Sequence, residues 1–120
     1  MSDIVKNEKF VEGDVVRLNS YSPKMTIMRI DGDKCYCVFF NNYEYLSEEE
    51  LNINIIKLEK SSFSNNQKEL KIGDVVRLKS GGPKMTISDI TDNKFSTVWF
   101  FNGKLIYDCR LEKNTLILEK

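Results

Sequence analysis

Hydrophobic and polar residues alternate in short runs along most of this chain, a pattern typical of β-strands. The most strand-like runs are Cys35–Phe40 and Phe95–Phe101, which are rich in aromatic residues and valine. Lys24–Ile30 and Lys84–Ile90 alternate methionine and isoleucine with polar residues. We find no amphipathic helix of useful length, although Ser47–Leu51 could start one helical turn. The pattern therefore predicts an all-β protein.

The pattern occurs twice, at a constant offset of 60 residues. The sequence GDVVRL spans residues 13–18 and 73–78, and PKMTI spans residues 23–27 and 83–87. An alignment of residues 10–60 with residues 70–120 has no gap and gives 22 identities in 51 positions. Such internal repetition indicates two copies of one structural unit. We predict a polar leader (1–9), a first SH3-like repeat (10–60), a linker (61–69) and a second SH3-like repeat (70–120).

Turn residues divide each repeat into about five short strands. Asn102-Gly103 directly follows the second aromatic run and indicates a two-residue hairpin, because a type I′ turn needs positive φ at both positions. Asn42-Tyr43 is a weaker version of this turn. The fourth and fifth strands are then expected at Glu44–Leu46 and Lys104–Tyr107, and, after a short turn, at Ile55–Leu58 and Thr115–Leu118. Closing five short strands into a barrel protects the sheet edges, so we predict two tandem SH3-like barrels of antiparallel strands.

The second repeat carries a family resemblance. The run GDVVRLKSGGPKMTI, followed by VWF and a Gly-Lys-Leu hairpin, resembles the YodC-like family of small bacterial proteins of uncharacterised function. The second repeat follows the family pattern across Gly73–Leu105, whereas the first repeat has Tyr21-Ser22 in place of Gly-Gly and Phe39 in place of Trp. The resemblance implies an SH3-like fold and brings no activity.

Residues that are identical in the two repeats and alternate along the strands predict the core. They are Val16, Leu18, Met25, Ile27, Val38 and Phe40, with Val76, Leu78, Met85, Ile87, Val98 and Phe100 at the matching positions. Alternation then places Phe39 and Trp99 on the opposite face, with Phe101 beside Trp99. There they either reach solvent or are covered by the other repeat or by a strand of the same barrel.

Charge is balanced over the whole chain, with 18 basic and 18 acidic residues, but not within each repeat. Residues 10–60 hold 6 basic and 9 acidic residues (−3), and residues 70–120 hold 9 and 6 (+3). Opposite charge can draw the repeats together, or the second repeat can meet an acidic partner. A pI near 6.3 lacks the basic footprint of a dedicated nucleic-acid binder, so we expect at most weak nucleic-acid binding, through the second repeat.

The titratable side chains do not suggest catalysis. The chain has no histidine, which removes the commonest general base and the Ser-His and Cys-His pairs. Glu48–Glu50 is interpreted as a solvated face. Cys35 and Cys37 share one strand face but have no counterpart in the second repeat, and with Cys109 they form an odd, unrepeated set. We predict no enzyme, no metal, no disulfide and no cofactor.

Nothing in the chain indicates membrane insertion or export. No stretch approaches the roughly 20 apolar residues that span a bilayer. The N-terminal residues MSDIVKNEKF lack the apolar core of a signal peptide. We therefore predict a cytoplasmic protein.

The candidate binding surface lies in the second repeat, around the loop Ser80–Lys84 and the aromatic run. Two glycines let another backbone approach closely, although they are otherwise ordinary turn residues. Exposed aromatic side chains beside basic residues can hold peptide groups or stack bases. The candidate partner-binding residues are Lys79, Gly81, Gly82, Lys84, Trp99, Phe101 and Lys104.

Two functions remain open from the sequence. The first is a non-catalytic tandem binding module for a protein, or less favourably a nucleic-acid, partner. The second is a structural or oligomerisation protein whose aromatic faces are buried between the repeats or between subunits.

Overall fold

The computed structural model describes residues 10–42, 45–62 and 69–119. The predicted leader, residues 1–9, and residues 63–68 of the predicted linker lie outside the described residues. The described chain is built of β-strands and two 3₁₀ turns, which confirms the all-β prediction.

The two repeats contain the same elements in the same order. The first has β1 (Val15–Leu18), β2 (Met25–Asp31), β3 (Lys34–Asn41), β4 (Tyr45–Asn52), a 3₁₀ turn (Ile53–Ile55) and β5 (Ile56–Lys60). The second has β6 (Val75–Leu78), β7 (Met85–Thr91), β8 (Lys94–Phe101), β9 (Lys104–Glu112), a 3₁₀ turn (Lys113–Thr115) and β10 (Leu116–Leu118).

Each repeat forms its own five-stranded antiparallel sheet. The strand orders are β4-β3-β2-β1-β5 and β9-β8-β7-β6-β10. In each sheet three consecutive hairpins are completed by the last strand, which returns to pair with the first. The hydrogen-bonded ladders leave both ends of each sheet as edges, so neither sheet closes into a barrel.

The hairpins after β3 and β8 differ by one residue. In the second repeat Phe101 pairs with Lys104, and Asn102 and Gly103 have φ of 51° and 76°, which confirms the predicted two-residue turn. In the first repeat Asn41 pairs with Tyr45, so three residues lie between the strands. The predicted Asn42-Tyr43 turn falls partly outside the described residues.

A β-bulge in the second repeat compensates for the shorter hairpin, so the two repeats have the same number of residues. The register of β8 and β9 shifts between Phe95 and Thr97, so β9 holds one extra residue there. The ladder of β3 and β4 runs from Lys34↔Asn52 to Asn41↔Tyr45 without a shift. The gapless alignment therefore hides two compensating changes, a longer turn in one repeat and a bulge in the other.

The acidic run of the first repeat is part of a strand. Glu48, Glu49 and Glu50 pair with β3 inside the continuous ladder, so the helical turn that Ser47–Leu51 could have started does not form. The fourth strand is accordingly longer than predicted. Pairing along all of β3 outweighs the weak helical preference of three glutamates.

Each repeat has one apolar cluster on the inner face of its sheet. The first contains Phe10, Val16, Met25, Ile27, Cys35, Cys37, Ile53 and Ile56. The second contains Leu70, Val76, Leu78, Met85, Ile87, Phe95, Trp99, Leu111 and Leu116, and it is extended by Met28, Val38 and Leu46 from the first repeat. Residues of the first repeat therefore complete the apolar core of the second repeat, and we call this the shared cluster.

The predicted face of β8 is wrong. Phe95, Thr97 and Trp99 point inward and are buried, whereas Phe100 is 68% exposed. In the first repeat Val38 is buried because it faces the second repeat, not because it faces its own core. The prediction holds for β2 and β7, where Met25, Ile27, Met85 and Ile87 are buried as expected.

Candidate functional site

The glycine loop of the second repeat, residues 79–84, is held at one end of its sheet. The Gly81 N–H donates to the Leu78 carbonyl (2.9 Å), and Arg77 Nη1 donates to the Gly82 carbonyl (3.1 Å). Gly81 and Gly82 have φ of 107° and 149°, a region that favours glycine. Residues of the second repeat itself therefore hold the loop in this conformation.

The side chain of Phe40, from β3 of the first repeat, lies against this loop. Its ring meets Trp99 edge-on, with ring centroids 5.3 Å apart and an interplanar angle of 89°. This is a favoured geometry for aromatic pairs. A Cβ atom built on Gly82 would lie 2.7 Å from Cε2 of Phe40. Only glycine at this position lets the ring come so close.

A threonine–serine pair joins the repeats beside the aromatic contact. Thr26 Oγ1 donates to Ser80 Oγ (2.6 Å), and the Ser80 N–H donates to Thr26 Oγ1 (2.9 Å). Thr26 is fully buried, whereas its counterpart Thr86 in the second repeat is exposed. The second repeat therefore covers one threonine and leaves the identical one in solvent.

Arg110 makes a further polar contact across the interface. Its guanidinium Nη2 donates to Asp108 Oδ2 (2.8 Å). Hydrogen bonding to Asp108 raises the pKa of Arg110 above its ordinary value. From there Nη2 donates to the Leu46 carbonyl (2.7 Å), and Nη1 lies 3.6 Å from Glu48. This contact joins the basic repeat to the acidic one, in the sense that the charge distribution favours.

Two surfaces can now be defined. The outer face of the first repeat consists of Thr26, Met28, Val38, Phe40 and Leu46, on the side of its sheet away from its own core. The acceptor surface of the second repeat consists of Ser80, Gly82, Trp99 and Arg110. The contact is heterologous, because different surfaces of two similar units meet.

The seven predicted binding residues separate into two groups. Gly82 and Trp99 lie buried in the acceptor surface, under Phe40. Of the two placements that the sequence left open for Trp99, solvent or a covered position, the structure shows the covered one, since the side chain is only 4% exposed. Gly81, Lys84 and Lys104 are exposed, and Lys79 and Phe101 are half-buried. The structure thus places part of the predicted site inside the molecule and part on its surface.

The first repeat does not present an acceptor surface of its own. Tyr21 and Ser22 occupy the positions of the two glycines, and Phe39 replaces Trp99. Ser22 Oγ accepts from the Leu18 N–H (3.0 Å), so its side chain is fixed inside the loop. Tyr21 is exposed beneath the Arg17 guanidinium. Ser22 thus carries a side chain at the position where Gly82 has none.

The second repeat has an outer face that matches the buried outer face of the first. Antiparallel pairing places Val75, Thr86, Val98 and Tyr107 in one row, and Phe100 and Leu105 in another. Phe100 and Tyr107 are 68% and 69% exposed, Val75 and Leu105 are also exposed, and Val98 is half-buried. Sequence reasoning missed this surface, because identity with the first repeat was interpreted as a mark of the core.

A polar cavity of about 470 Å³ lies where the first repeat meets the loop ends of the second. Its lining includes Glu12, Lys79, Lys113 and Asn114. Burial lowers the pKa of Lys79, partly offset by the nearby Asp14. The lining carries both charges, so the cavity does not select one class of ligand.

The two adjacent cysteines of β3 form a buried thiol pair. Cys35 Sγ and Cys37 Sγ lie 3.7 Å apart, and both side chains are fully buried in the core of the first repeat. The hydrogen bond to Cys35, together with burial, raises the pKa of Cys37 well above its ordinary range. Cys109 is exposed.

Within the described ranges, no group of three or more Cys, Asp and Glu side chains is placed to hold a metal ion. Among the same residues, no helix has the length and apolarity needed to cross a membrane.

Comparison with known proteins places the second repeat beside an uncharacterised family. Residues 71–114 match the model of a family described as uncharacterized small protein (DUF2158). The match covers one repeat and leaves the first repeat outside it. No curated protein matches the chain.

Proposed function

We propose that this chain is a non-catalytic tandem module that binds a protein partner through the outer face of its second repeat. One observation carries the proposal. A face with the same residues in the first repeat, Thr26, Val38 and Phe40, packs against another folded unit, whereas Thr86 and Phe100 are exposed and Val98 is half-buried. Exposed contiguous apolar surfaces of this kind mark interaction sites.

A protein fits this surface better than a nucleic acid does. The face consists of Val75, Thr86, Val98, Phe100, Leu105 and Tyr107, and no member carries a charge. Phosphate contacts dominate nucleic-acid affinity and need basic side chains. An apolar centre with an aromatic anchor is typical of protein interfaces.

The proposal includes a finer description of each repeat. A sheet of order β4-β3-β2-β1-β5, with a 3₁₀ turn before the last strand, supports an SH3-like arrangement of two tandem units. The motif GDVVRLKSGGPKMTI supports a place among YodC-like bacterial proteins. We place the module in the cytoplasm, where buried free thiols such as Cys35 and Cys37 persist.

Site-specific photo-crosslinking in the native cell tests the binding function. A photoreactive phenylalanine analogue at Phe100 should form a defined protein adduct, and the same analogue at exposed Ile72, outside the face, should not. Exposure is comparable at the two positions, 68% and 61%. Equal adduct patterns at both positions, or adducts with nucleic acid alone, would contradict the proposal.

A structural role is the second candidate, because Phe40 and Trp99 pack together between the repeats. In this case the aromatic residues serve assembly of the chain or of its oligomer. The molar mass in solution separates the two candidates. A stable oligomer that is dissolved by Phe100→Glu favours the structural role, and a monomer that crosslinks to a different protein favours the binding module.

A further inference from the structure

We propose that the outer face of the second repeat docks on a separate polypeptide that folds as one such unit and carries its own unoccupied acceptor surface. Such a partner has glycine at the position of Gly82 and a tryptophan or similar aromatic residue at the position of Trp99. This inference rests on the proposed function and specifies the class of partner.

The first argument is that the contact already exists once in the molecule. Thr26 and Phe40 contact the acceptor surface, and Val38 packs in the shared cluster beside them. Thr86, Val98 and Phe100 repeat these three residues with the same cross-strand pairing, Thr26↔Val38 and Thr86↔Val98. Equal side chains in an equal backbone arrangement present the same shape to a partner. A surface complementary to the first face is therefore complementary to the central part of the second.

The second argument is that the contact places a stringent requirement on the acceptor surface. A Cβ atom on Gly82 would overlap the Phe40 ring, so an acceptor needs glycine there. The first repeat has Ser22 at that position and cannot accept Phe100 in the same pose. The face of the second repeat therefore has no acceptor in the first repeat, either of its own chain or of a second copy.

The third argument concerns the acceptor of a second copy, which is already filled. The Phe40–Trp99 and Thr26–Ser80 contacts are made within one chain. A short connection between two units gives an effective concentration of the order of millimolar, so the intramolecular contact outcompetes a second chain at lower concentration. A single unit with no preceding repeat lacks this competitor. The family match over one repeat, to a small protein, is consistent with such units.

The outer faces of the two repeats differ at their edges, and these differences determine how tightly the proposed partner is expected to bind. Met28, buried under the second repeat, corresponds to exposed Ser88, and Val38 pairs with Glu48 where Val98 pairs with Tyr107. The new contact therefore loses one buried methionine and gains one aromatic ring. Without a linker it is expected to be weaker than the intramolecular one.

The test uses full chains and supplies an open acceptor by mutation. In the variant Phe40→Glu/Phe100→Glu, the first change expels the first repeat from the acceptor surface and the second disables its own outer face. Mixed with the unaltered chain, this variant should form a one-to-one complex in sedimentation velocity. Phe100→Glu in the unaltered chain should weaken the complex at least tenfold, whereas the matched surface change Ile72→Glu should leave it unchanged.

A second arm uses self-association. The single variant Phe40→Glu exposes both the acceptor and the outer face of the second repeat, so it should grow head-to-tail with concentration. The milder variant Met28→Ser/Phe40→Ala should do the same if Phe40→Glu does not fold, as judged by circular dichroism.

Three results would overturn the inference. One is no complex between unaltered and open chains at a hundred micromolar, with both folded. Another is a complex that is insensitive to Phe100→Glu. The last is a dimer of the unaltered chain that Phe100→Glu dissolves, which would make a second copy the occupant. In the first two cases a protein crosslinked at Phe100 in cells would leave the binding function standing, so the two proposals fail separately.

Discussion

The approach of the Phe40 ring to the second repeat depends on the missing side chain of Gly82. We expect Gly82→Ala to destabilise the protein by about 1–3 kcal/mol, because the new methyl overlaps the Phe40 ring and alanine adopts φ of 149° poorly. A double-mutant cycle with Phe40→Ala separates the two causes. In that background the overlap is relieved and only the backbone strain remains, so equal costs in both backgrounds would contradict the docking of Phe40 on Gly82.

Trp99 is the only tryptophan and reports the same contact by fluorescence. Its ring is buried under Phe40, so we expect blue-shifted emission that acrylamide quenches weakly. Phe40→Ala should increase the quenching constant, and the matched change Phe100→Ala should not. Strong quenching in the unaltered monomer would mean that the repeats do not stay docked.

The three cysteines should differ in reactivity. Cys35 and Cys37 are both buried, which keeps reagents away from them. The hydrogen bond to Cys35 and burial raise the pKa of Cys37, so Cys37 stays a protonated, unreactive thiol at neutral pH. A thiol titration of the native protein should therefore count one rapidly reacting group, Cys109, and three in denaturant. Rapid reaction of two or more native thiols would show that β3 opens easily.

At the scale of elements, β3 and β8 have similar sequences and different surroundings. Phe40→Ala should cost about 2 kcal/mol or more in denaturant melts, because the ring packs in the shared cluster. Phe100→Ala should cost less than about 1 kcal/mol, because that ring is exposed. A larger loss for Phe100→Ala than for Phe40→Ala would reverse the assignment of the two faces.

Most of the strands were predictable from the sequence, whereas the lengths of β4 and β9 and the buried face of β8 were not. Alternation located β2, β3, β7 and β8 within about one residue at each end, and Asn102-Gly103 located a turn. Alternation gives two faces but does not say which one is inside. In β8 both faces carry large apolar side chains, Phe95 and Trp99 on one and Val98 and Phe100 on the other, so periodicity cannot choose between them.

Identity between the repeats also misled the choice of face. Val38 and Val98 were expected in equivalent cores, yet one lies in an interface and the other is half-buried at the surface. The differences between the repeats carried the better signal. Gly82 aligns with Ser22, and Met28 aligns with Ser88. Gly82 and Met28 lie in the contact between the repeats, whereas Ser22 and Ser88 do not.

For the whole molecule, the shared cluster and the Arg110 contacts link the stabilities of the two repeats. Units of about 50 residues are marginal alone, so we expect one cooperative thermal transition with equal calorimetric and van't Hoff enthalpies. Arg110→Met, which removes the hydrogen bond to the Leu46 carbonyl, should lower the midpoint and broaden the transition. Two separate transitions in the unaltered protein would show that the repeats fold independently.

The mismatch between the two loops bears on how a duplicated gene diverges. When unlike surfaces of two copies meet, each copy uses only one of its surfaces in that contact. The first copy has Tyr21, Ser22 and Phe39 where the second has two glycines and a tryptophan, so it presents an outer face without a matching acceptor. The second copy has the acceptor surface and also an outer face, in which Ser88 stands at the position of Met28. Neither copy can therefore substitute for the other, and exchanging their order in the gene would give a different molecule.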